Sequence, residues 1–250
     1  YYEDRDMCRG HLNNFLYKHL VSDKQPVLIN HQILARLPID TYWTTNYDNL
    51  MEQALQANGK MVDIKKENKD FCHQRPHNVS LYKMHGDKEC IEDVVITRRD
   101  YESYSEKRRL FSYQFQCDFL SKTFLIIGFS FSDPNINFLL GQLKNLAGIN
   151  SPKNYYLIKK EKGDKRRKQL LQINTMKKYG LEAIEIDDFP QITDILLEIE
   201  RRYKHHIVFI SGNIDDYGTW GKQQAELFIR YLAYFLVKEG YHLINRFGEK

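Results

Sequence analysis

Apolar residues recur along this chain with two different periods. Leu12, Phe15, Leu16 and Leu20 fall at helical spacing between Cys8 and Leu20. A second short helix is predicted from His31 to Leu37, where Pro38 stops it. Thr41 to Thr45 is β-branched and aromatic and reads as a strand. A helix is predicted from about Asn49, with Leu50, Ala54 and Leu55 on one face and Gly59 as its stop. Strands follow at Val79–Met84 and, shorter, at Val94–Thr97, then a charge-rich helix over Tyr101–Ser121. Thr123 to Ile127 is almost continuously apolar, as a strand covered on both faces should be. Asp133-Pro134 is suited to open a helix that carries Ile136, Leu139, Leu140 and Leu143. Strands at Tyr155–Ile158 and Leu181–Ile186 then alternate with helices at Lys165–Tyr179 and Gln191–Tyr203.

This βαβα alternation predicts an α/β fold built on a doubly wound, Rossmann-like parallel sheet. A second unit is expected to begin near His205. His206 to Gly212 is a strand ending in small residues. Tyr217 to Glu239 places Trp220, Ala225, Phe228, Ile229, Leu232 and Leu236 at helical spacing, and Tyr241 to Ile244 is a strand after Gly240. This is a single βαβ unit, so the division is 1–204 and 205–250.

Composition narrows the classes. The 250 residues carry a net charge of only +4 with both signs interspersed, which does not point to nucleic acid. The densest basic stretch, Lys159 to Lys168, includes two acids and no aromatic residue, and reads as a solvated loop entering a helix. Cys8, Cys72, Cys90 and Cys117 form no C-x-x-C pair, so neither a structural zinc site nor a disulfide framework is expected. No metal and a reducing, cytoplasmic compartment fit that usage. No apolar run approaches a membrane span, and no signal peptide is expected. Both ends read as cut: the chain opens on Tyr1 in helix-like sequence and stops just after a strand.

Three predicted strands end in polar residues, at Asn46 with Asp48, at His85 with Gly86, and at Gly128 with Ser130. Ligands of parallel α/β sheets collect outside the carboxyl ends of strands, so three such tips suggest one nucleotide site. Asn46 and His85 together suit cleavage of the nicotinamide–ribose bond of NAD. That reaction passes through an oxocarbenium-like sugar, and its leaving group departs neutral. A carboxamide both donates and accepts hydrogen bonds, so Asn46 could grip the ribose and hold a water. Imidazole removes protons near neutral pH. Gly86 would let a ligand come close. Each residue also has a plainer reading. Asn46 could be a turn residue, Asp48 a helix N-cap, His85 structural, and Gly128 with Ser130 a strand-to-helix turn.

Thr45-Asn46-Tyr47-Asp48, Met84-His85-Gly86-Asp87 and Gly128-Phe-Ser-Phe-Ser-Asp-Pro134 resemble the core motifs of sirtuin-like NAD-binding domains. The stretch His31 to Asp48 resembles the NAD-hydrolase effectors of the Thoeris antiphage defence system. Val208-Phe-Ile-Ser-Gly-Asn213, Tyr217-Gly-Thr-Trp220 and Gly240-Tyr241 through Phe247-Gly248 resemble the opening of their C-terminal SLOG sensor domain. The resemblance implies that the first domain hydrolyses NAD to nicotinamide and ADP-ribose. The sensor would bind a cyclic ADP-ribose isomer from a partner TIR-domain protein, switching on NAD depletion in the bacterial cytoplasm. Asn46 would orient ribose and water, and His85 would be the general base. Asp48, Gly128 and Ser130 would contribute to the nucleotide pocket, and Ser211 and Gly212 would meet the signal nucleotide at a helix N-terminus. A homotetramer is implied, with no nucleic-acid or membrane partner.

The sequence departs from that pattern in three places. No glycine-rich opening segment precedes Tyr1, the sensor stops after one βαβ unit, and Asn245-Arg246 stands where small residues are expected. The 250 residues by themselves are therefore expected to be neither fully active nor able to bind the signal. An NAD-dependent protein deacylase and a non-catalytic NAD or ADP-ribose-binding regulator remain the alternatives. Deacylating sirtuins carry a four-cysteine zinc module after the His-Gly motif, whereas only Cys90 and Cys117 follow His85 here.

Overall fold

The computed structural model describes residues 9–21, 25–72, 76, 78–128, 152–210 and 221–245. Its packing divides the chain into two units, Tyr1–Thr193 and Asp194–Lys250.

In the first unit, helices α1 (Gly10–Leu16) and α2 (Ile29–Arg36) precede strand β1 (Thr41–Thr44). Leu37, before Pro38, is extended (φ −68°, ψ 154°), which ends α2 as a pre-proline residue should. Helix α3 (Leu50–Ala57) follows, then β2 (Val62–Lys65) and β3 (Val79–Lys83). Gly59, at φ +71°, closes α3 and lets the Lys60 N–H return to the Leu55 carbonyl. Helices α4 (Arg98–Glu102), α5 (Tyr104–Lys107) and α6 (Arg109–Ser121) lead to β4 (Leu125–Ile126), and β5 (Asn154–Lys159), α7 (Asp164–Lys177) and β6 (Leu181–Ile186) complete the sheets.

All strand pairs in this unit are parallel, in the orders β1-β3-β2 and β4-β5-β6. The first sheet is covered on both faces, as a doubly wound parallel sheet requires. Tyr42, Val79 and Leu81 pack with Ala35 of α2 and with Ala54 and Leu55 of α3. Trp43, opposite Tyr82 in register, stacks on it at 4.1 Å on the other face and meets Phe115 of α6 edge-on. Phe115 and Phe119 of α6 share one core cluster with Met84, Tyr156, Met176 and Leu181, so this helix packs beneath both sheets.

One strand was missed and three expectations need correcting. β2 was not anticipated, because its inward positions are Asp63 and Lys65, which pair with each other at 2.8 Å; the buried face carries charge instead of apolar groups. Val94–Thr97 forms no strand. Val94 is wedged against Leu12, Leu16 and Ile91, and Thr97 is the N-cap of α4, its hydroxyl accepting from the Asp100 N–H. The helix expected over 101–121 is broken at Ser103 and at Arg108. Arg108 turns inward there, and its guanidinium donates to the Lys66 and Asp93 carbonyls at 2.5 and 3.0 Å. β4 is shorter than 123–127: the Phe124 N–H is taken by the Asn154 side chain at 2.7 Å instead of by a strand neighbour. The helix expected after Asp133-Pro134 lies outside the described residues.

The boundary between the units falls within helix α8 (Gln191–His205). In the second unit β7 (Ile207–Ile210) pairs in parallel with β8 (His242–Asn245) across helix α9 (Lys222–Lys238), the expected βαβ unit. Leu227, Tyr231 and Phe235 of α9 remain half-exposed or more. Among the described residues no helix is long and apolar enough to cross a membrane.

Candidate functional site

A cleft of about 740 Å³ runs along β1 and β4, from Pro38–Asp40 and Lys122 before the strands to Asn46 and Gly128 at their carboxyl ends. The run Thr41–Asn46 with Asp48 forms one wall and Lys122–Gly128 the other; Met51, Glu52, Lys83 and Met84 also line it. Lys122 Nζ ties the walls together, donating to the Thr41 hydroxyl at 2.5 Å and to Asp40 at 3.3 Å, and Trp43 Nε1 donates to Asp118 of α6 at 3.0 Å.

The structure brings together three of the residues singled out in the sequence. Asn46 is exposed in the cleft, and its backbone N–H is held by the Thr44 hydroxyl at 3.0 Å. Its carboxamide makes no hydrogen bond to a described residue, so it is available to a bound molecule. Asp48 lines the cleft too, but its Oδ1 accepts the Leu50 N–H at 3.0 Å in an Asx turn leading into α3, whose N-cap position is Asn49 and not Asp48. Gly128 lines the opposite wall at φ +72°, with open space where a Cβ would stand. The left-handed backbone after β4, not crowding, calls for glycine there.

His85 is placed differently. Its side chain is 4% exposed and is not among the groups lining the cleft, although its neighbour Met84 is. The imidazole meets Tyr101 and Tyr104 edge-on, at 5.7 and 6.2 Å between ring centroids. The His85 carbonyl accepts the Val95 N–H at 2.9 Å. Gly86 also needs correction. What comes close to it is protein, not ligand: a Cβ there would stand 3.0 Å from Arg108 Nη2 and 3.2 Å from the backbone at Asp93 and Val94. Ser130, Ser211 and Gly212 lie outside the described residues.

Sequence reasoning missed a buried ion cluster on the cleft wall. Lys83, at the end of the central strand β3, is fully buried. Its ammonium reaches Glu52 at 2.9 Å and Asp87 at 2.5 Å. Lys66 also pairs with Asp87, at 3.1 Å. Burial alone would raise the Asp87 carboxyl, but hydrogen bonds from Lys83, the Glu89 N–H and Lys66 hold it below the usual carboxylate range. The available signal was a lysine in a strand buried on both faces, which demands a partner.

Asp100 behaves in the same way. Burial opposes its charge, yet the backbone N–H and hydroxyl of Thr97, the Ile96 N–H and Arg9 hold its pKa down. Both carboxylates bind protons less readily in the folded state than in the unfolded chain. Their stabilisation is complete above the unfolded value near 4 and is lost as pH falls through the lower folded values. The melting temperature is therefore expected to stay level from about pH 7 to 5 and to fall below about pH 4. A melt series across that range checks this; a decline that begins above pH 5 would assign it to other groups. Among the described residues no group of His, Cys, Asp and Glu is placed to hold a metal ion.

Two three-stranded parallel sheets, in place of the single sheet expected, with helices packed on them and a cleft between β1 and β4, are the features of a Rossmann-like α/β domain. A family model described as SIR2-like domain matches residues 40–184, and the chain belongs to that family. Residues 191–250 match the Sir2- and TIR-associating SLOG family. The chain is 36% identical to the NAD(+) hydrolase ThsA of Bacillus cereus (strain MSX-D12), over 96% of this chain and 52% of that protein. It is 35% identical to the protein of the same name from Enterococcus faecium, over 99% of this chain and 56% of that protein. Defense-associated sirtuin 2 of Bacillus subtilis is 30% identical over 54% of this chain and 14% of its own length. The chain thus spans about half the length of the ThsA relatives.

Proposed function

We propose that the protein containing these residues is an NAD+ hydrolase, cleaving NAD+ to nicotinamide and ADP-ribose as an effector of antiphage defence. The observation that carries this reading is the cleft along β1 and β4, with the exposed Asn46 at its carboxyl end. The names of the relatives support it.

NAD is the substrate here. Nicotinamide leaves as a neutral molecule, so the protein must stabilise a cationic sugar and deliver a nucleophile rather than protonate a leaving group. Asn46 holds the ribose hydroxyls and a water, and His85 takes the proton. Asp48 shapes the pocket through the turn leading into α3, and Gly128 and Ser130 complete it. Residues from about 205 onward begin the sensor, where Ser211 and Gly212 meet a cyclic ADP-ribose isomer supplied by a TIR-domain protein. The sensor half of this proposal is supported by the match to a Sir2- and TIR-associating family. A homotetramer acting in the bacterial cytoplasm completes it.

The test is NAD consumption by the full-length protein without any acylated peptide, with and without a cyclic ADP-ribose isomer. The expected result is release of nicotinamide and ADP-ribose in equal amounts, increased by the isomer. NAD loss that depends on an acyl-lysine peptide would make the protein a deacylase. Tight NAD binding without turnover would make it a regulator.

A further inference from the structure

We propose that Lys83 is a positioning residue: its buried ammonium holds the loop that carries Asn46 and the turn that carries His85 in one fixed relation. This rests on the reading of the cleft as the hydrolytic site.

Four acceptors on three segments surround Lys83 Nζ. The Asp48 carbonyl at 2.5 Å and the Tyr47 carbonyl at 3.3 Å belong to the loop after β1. Glu52 at 2.9 Å belongs to the first turn of α3. Asp87 at 2.5 Å belongs to the turn after β3. An ammonium has three protons, so three short bonds saturate it and the Tyr47 contact is the weakest. The bonds reach forward and sideways from one strand end. The turn from Lys83 to Asp87 closes on its own lysine, with the Gly86 N–H on the Lys83 carbonyl at 3.2 Å. Across the gap, the Lys88 N–H meets the Tyr47 carbonyl at 2.9 Å. Asn46 and His85 are thus each within two residues of a group bonded to Lys83 or to its turn.

Stability alone does not account for this arrangement. Replacing a buried ion cluster with well-packed apolar side chains is often neutral or stabilising, because desolvation offsets the Coulomb attraction. A central strand flanked by Leu81 and Met84 could have ended in another apolar residue. What the ammonium does that a leucine cannot is fix the direction of two loops through charged hydrogen bonds. Small misplacements of reacting groups cost large factors in turnover.

The experiment compares full-length wild type with Lys83→Met, Lys83→Arg and Glu52→Gln. It measures NAD kinetics, circular dichroism and hydrogen exchange. For folded Lys83→Met we expect kcat to fall by about 10²-fold with KM within about threefold. Faster exchange is expected at 45–49 and 84–89, while β5 and β6 keep their protection. Lys83→Arg, which keeps charge and donors, should recover a large part of kcat. Native exchange in both segments, an unchanged kcat, or a loss confined to KM in folded Lys83→Met overturns the proposal. If Lys83→Met does not fold, Glu52→Gln decides: a lower kcat at constant KM with faster exchange at 45–49 supports it, and wild-type behaviour overturns it. If wild-type protein leaves NAD intact, it is the hydrolase reading that fails. The exchange pattern alone then decides whether Lys83 ties the two segments.

Discussion

Replacing His85 with Ala in the full-length protein is expected to lower NAD turnover by about 10²- to 10⁴-fold, the range for loss of a general base. NAD binding should persist. The burial of His85 makes the choice of variant matter. Its ring packs edge-on against Tyr101 and Tyr104, and such contacts are worth about 0.5–1.5 kcal/mol each, so truncation also weakens the fold. His85→Phe keeps an aromatic ring and removes both nitrogens, and it should lose the same turnover with a smaller loss of stability. The imidazole is buried and does not line the cleft, so its proposed role requires a change of rotamer toward a bound sugar. That step follows binding, which places the loss in kcat and leaves KM near its wild-type value. Turnover at the wild-type level in folded His85→Phe would remove His85 from the reaction and leave it a packing residue.

Gly86→Ala is expected to destabilise the protein by about 2–4 kcal/mol, from about 1–2 for a left-handed backbone and the rest from overpacking. Gly86 has φ +91°, and the added Cβ would press on Arg108 Nη2 and on the backbone at Asp93 and Val94. Arg108 cannot retreat freely, because its guanidinium is bonded to the carbonyls of Lys66 and Asp93. Gly59 provides the control. It has φ +71° but open space around it, so Gly59→Ala should cost only the backbone share, about 1–2 kcal/mol. Urea unfolding of both variants measures the difference. Equal costs would mean that the space at Gly86 is less constrained than the 3.0 Å approach implies.

Much of both sheets was legible along the chain. Thr41–Thr44 and Val79–Lys83 are strands whose β-branched and aromatic residues suit a covered sheet, and Leu181–Ile186 is one whose Leu, Ala and Ile residues alternate with glutamates. The cleft residues Asn46 and Gly128 were legible for a related reason: each directly follows a β-branched, aromatic or apolar run. β2 was hidden because Asp63 and Lys65 neutralise each other inside the fold, and a hydropathy pattern records no pairings. Thr97 looked like part of a strand because threonine serves both strands and N-caps, and only the bond from the Asp100 N–H distinguishes them.

The order of elements, the parallel α/β class and the polar tips of the strands follow from local sequence, since periodicity and turn chemistry act over a few residues. The placement of those tips belongs to the tertiary structure. Packing set Asn46 and Gly128 on one cleft, gave Asp48 to the turn leading into α3, and buried His85 against two tyrosines, off the cleft wall. It also turned Lys83 into a fully buried ammonium between residues far apart along the chain. Such pairings depend on which charges lose their water together, and no local pattern records that.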